Sequence, residues 1–206
     1  MSPRRPDNPP LRRSELADDP FEQFAAWYRR ALDEAPLAEA ITLATVDSEG
    51  RPDARMVLLK GFDRRGFCFF TNYESTKAAQ LEAAGRAAIV AYWRELDRQV
   101  RIRGAVGRLA PEESDEYFAT RPRAAQLGAW ASPQSRPIGD RAELERQLAE
   151  AEGRFEGTDV ARPPHWGGYV LEPEEVEFWQ GQLARLHDRF LYTRSGEDWS
   201  IERLAP

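Results

Sequence analysis

Ile41-Thr-Leu-Ala-Thr-Val46, then Asp47-Ser-Glu-Gly50, then Ala54-Arg-Met-Val-Leu-Leu-Lys60 is the stretch that decides the fold class. A β-branched run, a turn-forming tetrapeptide and a second apolar run predict two short strands joined by a tight turn. Strands joined so closely are antiparallel, because a parallel pair needs a long crossover. The pattern continues along the chain. Arg64-Arg-Gly66 turns into a strand over Phe67–Thr71, and further strands are expected over Ala87–Trp93, Gln99–Leu109, Tyr169–Trp179, Arg185–Tyr192 and Trp199–Arg203. Helices interrupt them. Asp19-Pro20 supplies an N-cap and a first-turn proline, and Phe21, Phe24, Trp27, Tyr28 and Ala31 recur at helical spacing behind it. Shorter helices are expected over Ser75–Ala84, from Pro111 through Phe118, over Arg123–Trp130 and over Arg141–Phe155. The sum is an α+β chain, mainly β: about seven or eight antiparallel strands in a barrel with helical additions. Residues 1–17, rich in Pro and Arg and without periodicity, read as a flexible N-terminal arm, and residues 18–206 as a single domain.

Composition narrows the function. The 206 residues carry a net charge of −6, so no overall basic field draws in nucleic acid. No apolar run approaches the roughly 20 residues of a membrane span, and no signal segment opens the chain, which makes a cytoplasmic protein the expectation. A lone Cys68 and two distant histidines, His165 and His187, speak against a disulfide and a metal centre. Arginine dominates the basic residues; Lys60 and Lys77 are the two lysines. That bias can be codon usage, yet two isolated lysines invite the question of what each one does.

Three places carry chemistry. If residues 185–189 are extended, the period of two puts Arg185, His187 and Arg189 on one face and aims Leu186 and Phe190 at a core. Such a row is either a solvated face or a wall for a planar anion, and Trp179 nearby favours the wall slightly. Gln99, Arg101 and Arg103 form a similar row with Val100 and Ile102 behind it. Arg55 and Lys60 bracket an apolar strand with opposite parity, so they serve different parts of a site or a bulge intervenes. Thr71-Asn72 followed by Ser75-Thr76-Lys77 sits at a strand-to-helix junction, where unpaired N–H groups suit a phosphate or merely a cap.

Trp179-Gln-Gly-x-x-x-Arg-Leu-His-Asp-Arg189 resembles the C-terminal signature of the pyridoxamine 5′-phosphate oxidases. Leu11-Arg-Arg, Arg55–Lys60, Phe70-Thr-Asn72, Arg98-Gln-Val100, Tyr117-Phe-x-x-Arg-Pro122, Gln126-x-Gly-Ala129, Gln134-Ser135, Trp166-Gly-Gly168 and Trp199-x-Ile-x-Arg-Leu-Ala-Pro206 resemble that family in the same order. The resemblance implies a split-barrel homodimer holding FMN in clefts between subunits. It also implies oxidation of pyridoxine or pyridoxamine 5′-phosphate to pyridoxal 5′-phosphate, with O2 as acceptor and H2O2 as product. Carried over by motif, FMN contacts fall on Arg55, Met56, Val57, Leu58, Lys60, Phe70, Thr71, Thr76, Lys77, Gln99, Gln134, Ser135, Trp179 and Arg189. Substrate contacts fall on Lys60, Tyr117, Arg121, Arg185 and His187. Of these, Arg185 and His187 resemble the catalytic pair beside the pyridine ring, and the other three a phosphate cradle. Two positions depart from the family: Thr76 stands where Arg is common, and Ala125 where Ser is. The alternatives are a related flavin oxidase of the phenazine-pathway type, and a protein that binds flavin or pyridoxal phosphate without turnover.

Overall fold

The computed structural model describes residues 8–206. Nine strands form one antiparallel sheet: β1 (Ala40–Val46), β2 (Pro52–Leu58), β3 (Gly61–Asp63), β4 (Gly66–Asn72), β5 (Arg86–Trp93), β6 (Arg98–Arg108), β7 (Trp166–Gln180), β8 (Asp188–Ser195) and β9 (Asp198–Leu204). Five helices accompany them: α1 (Pro20–Glu34), α2 (Thr76–Ala84), α3 (Pro111–Thr120), α4 (Arg123–Ala131) and α5 (Arg141–Arg154). None is long and apolar enough to cross a membrane. The mainly antiparallel sheet with helical additions is the split barrel that the sequence predicts.

Connectivity forces the sheet to curl. Its main path runs β2-β1-β5-β6-β7-β4-β3, yet Leu59 and Lys60 alone join the outermost strands. Three Cα–Cα steps span at most about 11 Å. Seven strands laid flat at about 4.8 Å spacing would hold their edges roughly 29 Å apart. The edges therefore have to meet. The Lys60 N–H, 2.9 Å from the Cys68 carbonyl, continues the β3–β4 ladder at that seam.

The split lies at β7. β6 pairs along one side of it, while on the other side β4 takes Trp166–Leu171 and β8 takes Glu175–Gln180. The hollow of the curl is filled by α1, which buries Phe24, Trp27 and Ala31 against Ile41, Phe67, Trp93 and Phe178. Asp19 accepts the Phe21 N–H at 2.7 Å and Pro20 opens the helix, as its sequence predicts. A second cluster, Phe118, Leu127, Ala151, Phe155, Val160 and Trp166, packs α3, α4 and α5 together beside the start of β7.

Three expectations need correcting. Residues 8–17, read as part of a flexible arm, are fastened down. Leu11 and Leu16 are buried, the Leu11 N–H donates to Asp188 at 2.8 Å, and Gln180 donates to the Pro9 carbonyl at 2.8 Å; residues 1–7 lie outside the described residues. The strand expected from Arg185 begins only at Asp188, because Ala184 and Arg185 adopt positive φ (54° and 63°) in a short 3-10 turn. Leu186 is consequently 69% exposed rather than core-facing, whereas Phe190 is buried. The three-residue β3 is an addition, too short to leave a periodic signal.

Gly104 tests the seam between β6 and β7. The register shifts there, opposite Pro173, and a Cβ on Gly104 would lie 1.8 Å from the Glu172 carbonyl oxygen. Backbone on both sides leaves little room to yield. Gly104→Ala is expected to destabilise the fold by about 2–3 kcal/mol, the upper end for overpacking. Urea denaturation followed by tryptophan fluorescence measures it.

Candidate functional site

A cleft of about 480 Å³ opens where the curled edges meet the second helical layer. β2 and its exit contribute Met56, Val57, Leu58 and Lys60; β4 contributes Phe70 and Thr71; α2 contributes Lys77. The opposite wall is Tyr117, Thr120 and Arg121 from α3 and its end, Pro122 and Ala125, then Gln134 and Trp166. The seam thus brings together ten residues named from the sequence: Met56, Val57, Leu58, Lys60, Phe70, Thr71, Lys77, Tyr117, Arg121 and Gln134.

The aromatic floor is a stack. Phe70 lies 4.0 Å from Tyr117 and 5.4 Å from Trp166, centroid to centroid, with nearly parallel rings. Arg121 sits over Trp166 at 4.4 Å. That contact favours the cation through the ring's negative face, but it satisfies no N–H. Nη1 of Arg121 is buried without a hydrogen-bond partner among the described residues. Burial also pulls the Arg121 pKa down, and the neighbouring Tyr117 works the other way. Burial likewise pushes the Tyr117 hydroxyl up, against the opposing effect of Arg121. An unpaired, partly desolvated guanidinium is costly unless an anion meets it.

A second cationic place adjoins the first. Lys77 Nζ donates to Gln134 Oε1 at 2.9 Å, and Thr71 Oγ1 donates to the same oxygen at 3.0 Å. The ammonium is held below its usual pKa by burial first and by Arg55 second. Arg55 is aimed by a polar network: it donates to Thr45 Oγ1 (2.5 Å), Gln80 Oε1 (2.8 Å) and Asp53 Oδ2 (2.5 Å). Its bonds to Thr45 and Gln80 turn it toward α2 rather than into the cleft. Ser75 caps α2 by accepting the Ala78 N–H, Thr76 opens the helix, and Ser135 follows Gln134 with φ of 72°.

The remaining candidates do not line this cleft. Gln99, Trp179 and Arg189 are cross-strand partners on β6, β7 and β8. Arg189 Nε donates to the buried Glu177 at 2.8 Å, and Arg101 reaches the other oxygen of that carboxylate at 3.1 Å. The Gln99-Arg101-Arg103 row exists, with Val100 and Ile102 buried behind it, but Arg101 and Arg103 are paired to Glu177 and Glu175. The Arg185-His187-Arg189 row does not exist as a strand face. Arg185 and His187 lie in the loop before β8, with the His187 ring 4.7 Å from Trp179. Trp166 and the network of Asp53, Gln80 and Thr45 went unread as site features. The Trp166-Gly-Gly168 motif signalled the first, and nothing local signals the second.

Comparison with known proteins agrees with this geometry. Residues 23–155 match the family model described as pyridoxamine 5′-phosphate oxidase. Residues 166–206 match the pyridoxine 5′-phosphate oxidase C-terminal dimerisation region. A pyridoxine/pyridoxamine 5′-phosphate oxidase of Rubrobacter xylanophilus is 58% identical over 190 residues, covering 91% of this chain and 87% of that one. Its counterpart from Salinibacter ruber is 56% identical over 201 residues, covering 95% and 93%. Among solved structures, PhzG from Burkholderia lata, in complex with tetrahydrophenazine-1-carboxylic acid, aligns with a TM-score of 0.88 at 34% identity. That alignment covers 94% of this chain and 95% of PhzG. A pyridoxamine 5′-phosphate oxidase-related, FMN-binding protein from Nostoc punctiforme shares the fold, with a TM-score of 0.74 at 22% identity over 93% of this chain and all of that one. On its sequence and its curled, split sheet alike, the chain belongs to the pyridoxamine 5′-phosphate oxidase family of oxidoreductases.

Proposed function

We propose that this chain, as a homodimer, binds FMN and oxidises pyridoxamine or pyridoxine 5′-phosphate to pyridoxal 5′-phosphate in vitamin B6 metabolism. O2 is the final acceptor; H2O2 is released, and the amine substrate also yields ammonia. The observation that carries this reading is the buried, unpartnered Nη1 of Arg121 beside Lys60 and Tyr117. A phosphate dianion is the group that such a cradle fits.

The fit of FMN rests on the second cationic place. Lys77 has no carboxylate partner among the described residues, and Arg55 stands near enough to depress its pKa. Together with Gln134, Ser135, Thr71 and Thr76 they suit the flavin phosphate, while Met56, Val57, Leu58, Lys60 and Phe70 suit the ring system. When bound, the chemistry that FMN supplies is acceptance of a hydride equivalent from the substrate carbon and its transfer to O2. The chain's own part is binding and alignment. Arg121, Lys60 and Tyr117 anchor the substrate phosphate, and Arg185 with His187 orient the pyridine ring. Holding donor carbon and acceptor in register is a large share of such a rate enhancement.

The division of these residues between two places supports a dimer. Gln99, Trp179 and Arg189 lie on one face of β6, β7 and β8, which are three, four and five strands from the β2 of Met56 along the curled sheet, roughly 14–24 Å of sheet. Exposed Tyr92, the cross-strand partner of Gln99, and exposed Leu183 and Leu186 of the loop before β8 lie on or beside that face. We place the sheet face and the Arg185–His187 loop of one copy over the cleft of the other. The matched dimerisation region covers this loop and β8. The likeness to PhzG favours a second reading, oxidation of an aromatic acid without phosphate. The unpaired Arg121 speaks against it.

Two outcomes are expected. FMN should bind far more tightly than riboflavin in a fluorescence titration. Lys77→Ala should weaken FMN by about 10- to 100-fold, the worth of one charge-assisted hydrogen bond of about 1.5–3 kcal/mol. Equal affinity for riboflavin would remove the flavin-phosphate assignment. For the substrate, Arg121→Ala should cost two such bonds, about 10²–10⁴ in kcat/KM for pyridoxamine 5′-phosphate. Wild type should discriminate against unphosphorylated pyridoxamine by a similar factor. Comparable kcat/KM for the two amines, or preference for an aromatic carboxylic acid, would overturn this reading.

A further inference from the structure

The segment between β7 and β8 is packed at its two ends, where Gly181 is buried and His187 lies against Trp179, but its tip is exposed. Leu183 is 73% and Leu186 69% exposed, yet Ala184 and Arg185 both keep positive φ. Residues other than glycine hold that conformation only where the surroundings impose it. Here the surroundings are polar contacts that converge on Gln182. Its backbone N–H donates to His187 Nδ1 at 3.1 Å. Its side-chain amide donates to Asp188 Oδ2 at 2.9 Å and to the Pro9 carbonyl at 3.3 Å. Asp188 is buried; its Oδ2 also accepts the Leu11 N–H at 2.8 Å, and its Oδ1 accepts from Arg203 at 2.6 Å. The loop's other end is pinned as well, since the Gly181 N–H donates to the Asp97 carbonyl at 2.8 Å.

We propose that Gln182 and Asp188 form a clasp that positions Arg185 and His187, making Gln182 a positioning residue for the oxidation. The proposal rests on the functional reading given above, in which Arg185 and His187 flank the substrate ring. The clasp sets two things. It closes the loop across its base, so Arg185 is presented from a strained turn rather than from a strand. It also makes Nδ1 of His187 a hydrogen-bond acceptor, so the neutral imidazole carries its proton on Nε2. Neither Gln182 nor Asp188 belongs to the ligand contacts carried over from the family motif.

Gln182→Ala, Asp188→Asn and Arg185→Ala, each as the FMN-loaded protein beside wild type, test this. Four readouts are needed: hydrogen–deuterium exchange of the 181–187 peptide, thermal midpoint, FMN affinity, and anaerobic flavin reduction by saturating pyridoxamine 5′-phosphate. Exchange should accelerate in both clasp variants. Reduction should slow on the order of 10-fold or more, as misplacement of orienting groups does. The Kd values for FMN and substrate should stay within about threefold, because both phosphates are anchored elsewhere. Asp188 also ties the N-terminal segment to β9, so Asp188→Asn can fail to fold; Gln182→Ala leaves the bonds of Asp188 to Leu11 and Arg203 in place and carries the test alone. Faster exchange with wild-type reduction in Gln182→Ala makes the clasp merely structural and overturns the proposal. Unchanged exchange overturns it too. If wild type itself is not reduced by the amine while Gln182→Ala still loosens the loop, the functional reading has failed and takes the positioning role with it.

Discussion

Leu59 and Lys60 span a gap that a flat sheet could not close. Because they join the two outermost strands of the main path, the sheet must curl, and the curl creates the hollow that α1 fills. The same link places Lys60 at the lip of the cleft, between β2 on one side and β4 on the other. The long β7 then decides where the barrel splits, giving its first half to β4 and its second to β8. From that split come the two surfaces on which the proposed function rests. One is the cleft under α3, and the other is the half-buried sheet face carrying Gln99, Trp179 and Arg189.

Charge accounting singles out three cations that line the cleft. Arg101, Arg103, Arg189 and Arg203 each meet a carboxylate, as do exposed residues such as Arg51 and Arg65. Exposed pairs of this kind contribute little stability. Lys60, Lys77 and Arg121 make no ion pair among the described residues, and all three line one cleft. Both lysines of an arginine-rich chain are therefore at the site, which answers the question their rarity raises. Asp53 pairs with Arg55 and works against the lowering of the Lys77 pKa by burial and by Arg55, but makes no ion pair with Lys77. With Thr76 in place of a further arginine, the proposed flavin phosphate depends more heavily on Lys77.

Much of the fold is legible in the sequence where periodicity is long and the local signals agree. Asp19-Pro20 with Phe24 and Trp27 marks α1, and Val100 with Ile102 marks the buried face of β6. The failures have physical causes. Ala184 and Arg185 take a conformation usually marked by glycine, so a strand pattern runs through a turn. Leu11 is a lone apolar residue among Pro and Arg, and its burial depends on Asp188, 177 positions away. For the site, residue type and family motif together point to the cleft residues. They do not reveal that Arg101 and Arg103 are neutralised across the strand, nor that Trp166 lies under Arg121. Those facts depend on register and on a tertiary stack.

The central claim is that each proposed site joins the cleft of one copy to the loop of the other. Subunit complementation between Arg121→Ala and Arg185→Ala tests it most directly. Each variant alone should be nearly inactive toward pyridoxamine 5′-phosphate. In a differently tagged, co-expressed and purified mixed dimer, one site would carry both substitutions and the other neither. The account predicts about half of the wild-type activity per mixed dimer, one intact site of two, with wild-type KM. A mixed dimer as inactive as its parents would place Arg121 and Arg185 in the same subunit's site and contradict the account.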